Sequence, residues 1–147
     1  MNYNSLQIPC VYACVGCNGR GCKKCDYMGV FFTPVSVNQM YSGGHKTRRR
    51  FLTKKGESWK QHISDTVLWS TLGGKVLNLP KPARFELWLK WVFPDNRKRD
   101  PDNYIKAVKD SLSGIVYADD NQVFKEHNEK EIIKGKWSLE ISWEVMK

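Results

Sequence analysis

Two pairs of aspartates stand out as residues whose spacing suits chemistry. Asp100 and Asp102 flank a proline, and Asp119 and Asp120 follow further along the chain. Crowded carboxylates repel one another unless a cation neutralises them, and Mg²⁺ prefers such oxygen ligands. A bound divalent cation can neutralise a phosphate and activate water. The aspartates therefore predict metal-dependent phosphodiester hydrolysis.

The local sequence around Asp100 indicates how these side chains would be arranged. Pro101 disfavours helix at Asp100, so the two aspartates of this extended segment would point to the same side. Asp102 opens a predicted helix, and Lys106 lies one turn further along the same face. A lysine there could orient water or stabilise charge that develops on the phosphate.

The same residues also have simpler interpretations. Asp102 is a favoured helix-capping residue, and Asp119-Asp120-Asn121 is a common turn sequence. Lys106 and Asp110 are spaced for an ion pair on a solvated helix face. The local pattern alone leaves these interpretations open beside catalysis.

The charge balance favours a polyanionic partner. The chain has 147 residues with a formal net charge of +9, from 24 basic and 15 acidic residues. A small domain this basic is typical of nucleic-acid-binding proteins, although a basic protein without such a partner is the simpler alternative. The candidate phosphate contacts are two basic runs: Arg97, Lys98, Arg99 and Arg48, Arg49, Arg50.

A cysteine cluster near the N-terminus predicts a second metal. Its C-x₂-C-x₄-C-x₂-C spacing suits a closed tetrahedral zinc site, and an iron–sulfur cluster is the main alternative. The four ligands would be Cys14, Cys17, Cys22 and Cys25. Four sulfur ligands leave no open position, so we expect a structural role, with DNA contact as a further possibility. The fifth cysteine, Cys10, is expected to be a buried thiol.

The elements that would position these groups follow from hydrophobic periodicity. Residues 57–72 and 103–113 predict helices, and the strict alternation of apolar residues over 84–93 predicts a strand. Residues 122–127 and 137–145 predict further strands. We expect an α+β fold in which two main helices pack on a small mixed sheet. Residues 1–29 would form the zinc-binding module, and residues 30–147 the main domain.

Neither a secretory signal nor an apolar run of about 20 residues is evident, so no membrane association is expected. These features predict a cytoplasmic, nucleoid-associated protein whose cysteines stay reduced.

The aspartate motifs resemble a known family. Arg99-Asp100-Pro101-Asp102-Asn103, Lys106 and Asp119-Asp120-Asn121-Gln122-Val123 are similar to the signature of the RusA family of Holliday junction resolvases. Upstream, the segment from Pro34 to Tyr41 resembles the family's Pro-rich N-terminal segment. The likeness covers roughly residues 30–147, and the family's simplest members lack a zinc module.

The resemblance implies specific roles. The Mg²⁺ ligands would be Asp100, Asp102 and Asp120. Lys106 would be the essential lysine, and Arg99 and its neighbours would contact the DNA backbone. The protein would be a homodimer that cuts a four-way DNA junction in recombination and repair. Competing hypotheses are a non-catalytic, zinc-containing DNA-binding protein and a glycosyltransferase-like Asp-x-Asp site, which the small, basic chain makes less favoured.

Overall fold

The computed structural model describes residues 4–9, 12–13, 30–31, 35–43, 50–70 and 72–147. It contains three helices: α1 (Val37–Met40), α2 (Lys54–Ser70) and α3 (Asp102–Leu112). The strands are β1 (Asn4–Pro9), β2 (Tyr12–Ala13), β3 (Val30–Phe31), β4 (Tyr41–Ser42), β5 (Phe51–Leu52), β6 (Arg84–Phe93), β7 (Val123–Ile132) and β8 (Ser138–Met146). A 3-10 turn, Asp120–Gln122, precedes β7. These elements confirm the α+β class.

A mixed four-stranded sheet with the order β1-β8-β6-β7 forms the framework. β6 pairs parallel with β7 and antiparallel with β8. A parallel pair requires a crossover connection, and α3 supplies it. Two small antiparallel pairs, β2–β3 and β4–β5, lie outside this sheet.

The core lies between the two long helices and one face of the sheet. The alternating residues of β6 are all buried: Phe85, Leu87, Leu89, Trp91 and Phe93. The helices contribute the buried stripes Trp59, Ile63, Val67 and Ile105, Val108, Leu112. Both stripes and the alternation were predicted from periodicity, because burial on one face imposes these repeats.

Helix α2 begins three residues earlier than the sequence predicts. The Thr53 carbonyl accepts a hydrogen bond from the Glu57 amide at 2.8 Å, and the Thr53 hydroxyl accepts one from the Gly56 amide at 3.0 Å. Thr53 thus satisfies the amides of the first turn. Gly56 is needed there, since a Cβ would lie 2.6 Å from the Met40 carbonyl oxygen. This close approach fixes α1 and β4 against α2.

Strand β7 also differs from the prediction. It continues to Ile132, whereas the sequence indicates a strand over 122–127. Nine of its ten residues are exposed, and most are charged. Since neither face is buried, the strand lacks the alternation that would mark its full length.

The first strand lies within the range predicted as the zinc module, yet it pairs with β8 from Asn4↔Trp143 to Pro9↔Ser138. The division into residues 1–29 and 30–147 therefore stays a prediction. The five cysteines lie outside the described residues. No helix in the described part of the chain is both long and apolar enough to cross a membrane.

Candidate active site

A cleft of about 310 Å³ lies between α3 and the start of β7. Three of the four residues predicted for catalysis line it, namely Asp102, Lys106 and Asp120. Ile105, Lys109 and Glu126 complete the lining. The structure thus places an acidic helix start, a lysine and a downstream aspartate around one open space.

Lys106 links two carboxylates of this region. Its Nζ lies 3.8 Å from Asp120 Oδ2 and 3.5 Å from Asp110 Oδ1, and just over half of its side chain is exposed. The predicted Lys106–Asp110 pair on the helix surface is therefore present. It does not exclude a catalytic role, because the same ammonium also faces Asp120.

Asp110 is fixed from another element. The Tyr41 hydroxyl donates a 2.7 Å hydrogen bond to Asp110 Oδ2, and this bond joins β4 to α3. Partial burial and the bond to Asp110 raise the pKa of the Tyr41 phenol to about 12. The phenol thus remains a protonated donor at neutral pH. The sequence does not reveal this contact, because 69 positions separate the two residues.

The two adjacent aspartates at the 3-10 turn before β7 have different environments. Asp119 accepts a 3.0 Å hydrogen bond from the Asn121 amide, and its own amide donates to Gln122 Oε1 at 3.0 Å. The Asn121 amide chiefly lowers the pKa of Asp119. The Gln122 side chain donates to the carbonyls of Leu79 and Ala83, which anchors the turn. Asp119 is a capping residue, and Asp120 faces the cleft.

Asp100 is not one of the described residues that line the cleft. Its carboxylate accepts a 3.2 Å hydrogen bond from the Asp102 amide, so it supports the first turn of α3. The predicted cap at Asp102 is not observed: Pro101 occupies the N-cap position, and Asp102 is the first residue of the helix.

The parallel crossover explains why the aspartates do not converge more closely. Asp100 and Asp102 follow the end of β6, whereas Asp120 precedes β7, whose first residue pairs with Phe85 near the start of β6. Helix α3 connects the end of β6 to the start of β7, which lies beside the start of β6. Within the part of the chain that the structure describes, no three His, Cys, Asp or Glu side chains are grouped closely enough to hold one metal ion. Asp102, Asp120 and Glu126 nevertheless supply hard oxygen donors around one space, which suits Mg²⁺.

Two residues that line the cleft were not predicted from the sequence. Glu126 and Lys109 pair at 3.2 Å across the gap between β7 and α3. Neither residue belongs to a motif of the sequence. The only signal for Glu126 was its position six residues after Asp120 on a predicted strand, and that does not identify the face it occupies.

The basic run before α3 divides into two kinds of residue. Arg97 and Lys98 are exposed, although Arg97 Nε also lies 3.8 Å from Asp95. Arg99 binds Asp95 with both terminal nitrogens, at 2.6 and 3.1 Å, and its guanidinium lies 4.8 Å from the centre of the Trp137 ring. Only 12% of the Arg99 side chain is exposed. DNA contact by Arg99 stays a prediction, and the geometry favours Arg97 and Lys98 for that task.

The second basic run is described only in part. Arg50 is exposed at the start of β5, while Arg48 and Arg49 lie outside the described residues. The β4–β5 pair places Tyr41 opposite Leu52. The described end of the basic loop therefore directly precedes the strand that pairs with the tyrosine contacting Asp110.

A family model described as endodeoxyribonuclease RusA matches residues 32–142. The match spans the cleft, both aspartate motifs and most of the four-stranded sheet. No curated protein gives a significant match to the chain.

Proposed function

The chain belongs to the RusA family of endodeoxyribonucleases, which resolve Holliday junctions, and on that basis we propose a specific mechanism for its nuclease activity. The protein hydrolyses phosphodiesters of a four-way DNA junction with Mg²⁺, using Asp100, Asp102, Asp120 and Lys106. The observation that carries the proposal is the shared cleft of Asp102, Lys106 and Asp120.

The carboxylates would hold the cation. Asp102 and Asp120 face the cleft, and Asp100 adjoins Asp102 through its hydrogen bond to the Asp102 amide. When bound, Mg²⁺ polarises the phosphate and lowers the pKa of water. Oxygen ligands are the donors this ion requires, so the residue types fit the group.

Lys106 would stabilise negative charge on the phosphate. Its ammonium is exposed enough to meet a substrate and already lies between two carboxylates. A positive group preorganised beside the reacting phosphate acts more strongly once DNA covers the cleft and excludes water. Asp120 and Asp110 keep the ammonium on the cleft side of α3.

The exposed basic side chains would bind the junction backbone. Arg97 and Lys98 lie just before the aspartates, and Arg50 stands near the β4–β5 pair. Such contacts position DNA without reading its sequence. Arg48 and Arg49 are expected to extend this surface.

Two further proposals complete the assembly. A homodimer would present two active sites to a junction that itself has twofold symmetry. Structural Zn²⁺ would be bound by Cys14, Cys17, Cys22 and Cys25. Metal analysis of the purified protein tests this proposal, and we expect one zinc ion per chain.

Cleavage of a labelled four-way junction in the presence of Mg²⁺ tests the mechanism. We expect paired nicks with the wild-type protein and none with Asp120→Asn, while Asp65→Asn, on the exposed face of α2, serves as the matched control. A folded wild-type protein that binds junctions but nicks none of them in any divalent metal would instead support a non-catalytic DNA-binding protein. That alternative predicts junction binding that survives Asp100→Asn unchanged together with the absence of nicking in any metal, and it is the absence of nicking that separates the two functions.

A further inference from the structure

Strand β7 forms one edge of the main sheet and is open to solvent. It is ten residues long, and no other strand of the described chain pairs with its outer side. Its residues are exposed from Phe124 to Ile132. A long exposed edge strand offers unpaired backbone groups to another strand, and proteins usually prevent such pairing.

The order of charges along β7 is complementary to itself when it is read in the opposite direction. With Asn128 placed opposite its own copy, Lys125 faces Glu131, Glu126 faces Lys130 and His127 faces Glu129. Beyond these pairs, Phe124 faces Ile132, and these two side chains are 58% and 45% exposed. Opposite charges directly across an antiparallel pair stabilise it, and like charges destabilise it.

Other alignments lose this match. A shift of half a residue toward the N-terminus places Lys125 against Lys130 and Glu126 against Glu129. The corresponding shift toward the C-terminus places Glu126 against Glu131. Parallel pairing in register places every charge beside its own copy. The antiparallel register centred on His127 also avoids opposing Lys or Glu residues of like charge, but it keeps only the Lys125–Glu129 pair. The register centred on Asn128 therefore has the most pairs of opposite charge, as expected where an edge is paired specifically and not only protected.

We propose that β7 pairs antiparallel with β7 of a second copy of this chain, centred on Asn128. The contact joins two four-stranded sheets into one continuous sheet across a twofold axis. It gives the homodimer of the proposed function a specific surface, and it is independent of the nuclease chemistry.

The pairing connects the interface to both clefts. Glu126 lines the cleft and lies on the helix side of the sheet, beside Leu87 in the register of β6 and β7. A twofold axis perpendicular to the sheet keeps both helix layers on the same side. The two clefts then open on one face of the dimer, and the partner's Lys130 lies across from Glu126 at the rim of each.

Lys125 and Glu131 lie on the face of the sheet opposite Glu126 and the cleft. Reversing their charges therefore tests the interface without changing a residue of the cleft. Lys125→Glu places two glutamates against each other twice per dimer, and Glu131→Lys does the same with lysines. We expect each variant alone to dimerise roughly tenfold or more weakly than wild type. An equimolar mixture should recover a heterodimer, because the reversed residues then face opposite charges. Sedimentation equilibrium without DNA or metal measures all three samples.

The mixture also controls for effects within one chain. Lys125 pairs with Glu86 at 3.5 Å and Glu131 with Lys90 at 3.0 Å, so each substitution alters contacts inside its own subunit. Those changes are identical alone and in the mixture, and only a contact between the two β7 strands predicts recovery. Lys136→Glu, an equal charge change in the exposed β7–β8 turn, should dimerise as wild type does.

Three results would overturn the proposal: a monomeric wild type at high micromolar concentration, single variants that dimerise as wild type does, or a mixture that fails to recover dimer. Junction cleavage is measured separately. Loss of cleavage with the β7 dimer intact would refute the proposed nuclease mechanism and leave the interface standing.

Discussion

The Tyr41 hydroxyl donates a 2.7 Å hydrogen bond to Asp110 Oδ2, while Asp110 Oδ1 lies 3.5 Å from Lys106 Nζ. One carboxylate thus connects a tyrosine from β4 to the lysine of the cleft. Tyr41 is itself held firmly, since the neighbouring Met40 is fully buried and packs against Gly56 of α2. Tyr41 and Asp110 are positioning residues for Lys106.

Removing the Tyr41 hydroxyl should therefore slow cleavage without preventing DNA binding. Tyr41→Phe leaves the ring in place but frees Asp110 to turn away from its present orientation. A hydrogen bond to a charged group contributes enough stabilisation that we expect roughly a tenfold lower single-turnover rate in Mg²⁺. The dissociation constant for a four-way junction, measured in Ca²⁺, should stay within about twofold, because the exposed basic residues supply most of the affinity.

A double-mutant cycle separates positioning from a general loss of structure. Asp110→Asn should also slow cleavage, and combining it with Tyr41→Phe should add little, since both changes disturb the same contact. Additive losses of the cleavage rate would show that the two residues do not act through one contact. A cleavage rate that falls only as far as the folded fraction falls would show that they act on stability.

Adjacent aspartates in the turn before β7 should respond differently to the same substitution. Asp120→Asn removes a carboxylate that faces the cleft, and we expect at least a hundredfold loss of cleavage with a nearly unchanged melting temperature. Asp119→Asn weakens a cap and the 3.4 Å pair with Lys81, so it should lower the melting temperature and retain most of the cleavage rate. The reverse pattern would exchange the two roles. Junction cleavage and thermal unfolding of the same preparations provide both readouts.

The repeating parts of the fold were predictable because burial on one face leaves a periodic trace. The alternation from Phe85 to Phe93 predicts β6 to the residue at its C-terminal end, and the stripe through Trp59 and Ile63 predicts α2. The extent of β7 left no such trace, because both of its faces are exposed. The start of α2 depends on Thr53 and on the close packing of Gly56 against Met40, and neither contact is visible in a local pattern.

Helical geometry alone predicts only the part of the candidate site whose residues are close in sequence, while Asp120 was predicted through the resemblance to the RusA signature. Asp102 and Lys106 share a helix face, and their joint position in the cleft follows from helical geometry. Contacts between distant segments, such as Tyr41 with Asp110, required the fold. Arg99 illustrates the same point: a basic run indicates phosphate contact, and only the fold shows that this side chain also packs against Trp137 and pairs with Asp95.

Substitutions in the basic run should distinguish DNA contact from support of the loop. Lys98→Ala should weaken junction binding and reduce the slope of log affinity against log salt by about one, as expected for one phosphate contact. Arg99→Ala should instead lower the melting temperature by several degrees, because it removes a two-point ion pair and packing over an aromatic ring. Fluorescence anisotropy over a salt series and thermal unfolding test this pair. A salt slope changed by Arg99→Ala and not by Lys98→Ala would contradict the assignment.

The Asp95–Arg99 pair should also make stability depend on pH in acid. The hydrogen bond from Arg99 is the largest of the effects that lower the pKa of Asp95 from its usual 3.8 to about 2. A carboxyl whose pKa is lower in the folded than in the unfolded state stabilises the fold above the unfolded value. That contribution is lost as the pH falls through the folded value. Asp95→Asn should therefore lower the melting temperature at pH 7 by a few degrees, and the difference from wild type should shrink between about pH 4 and pH 2.

In an Arg99→Ala background the same substitution should have a smaller effect that changes less with pH. If the difference between Asp95→Asn and wild type were constant from pH 7 to pH 2, the ion pair would not be the cause of the stabilisation.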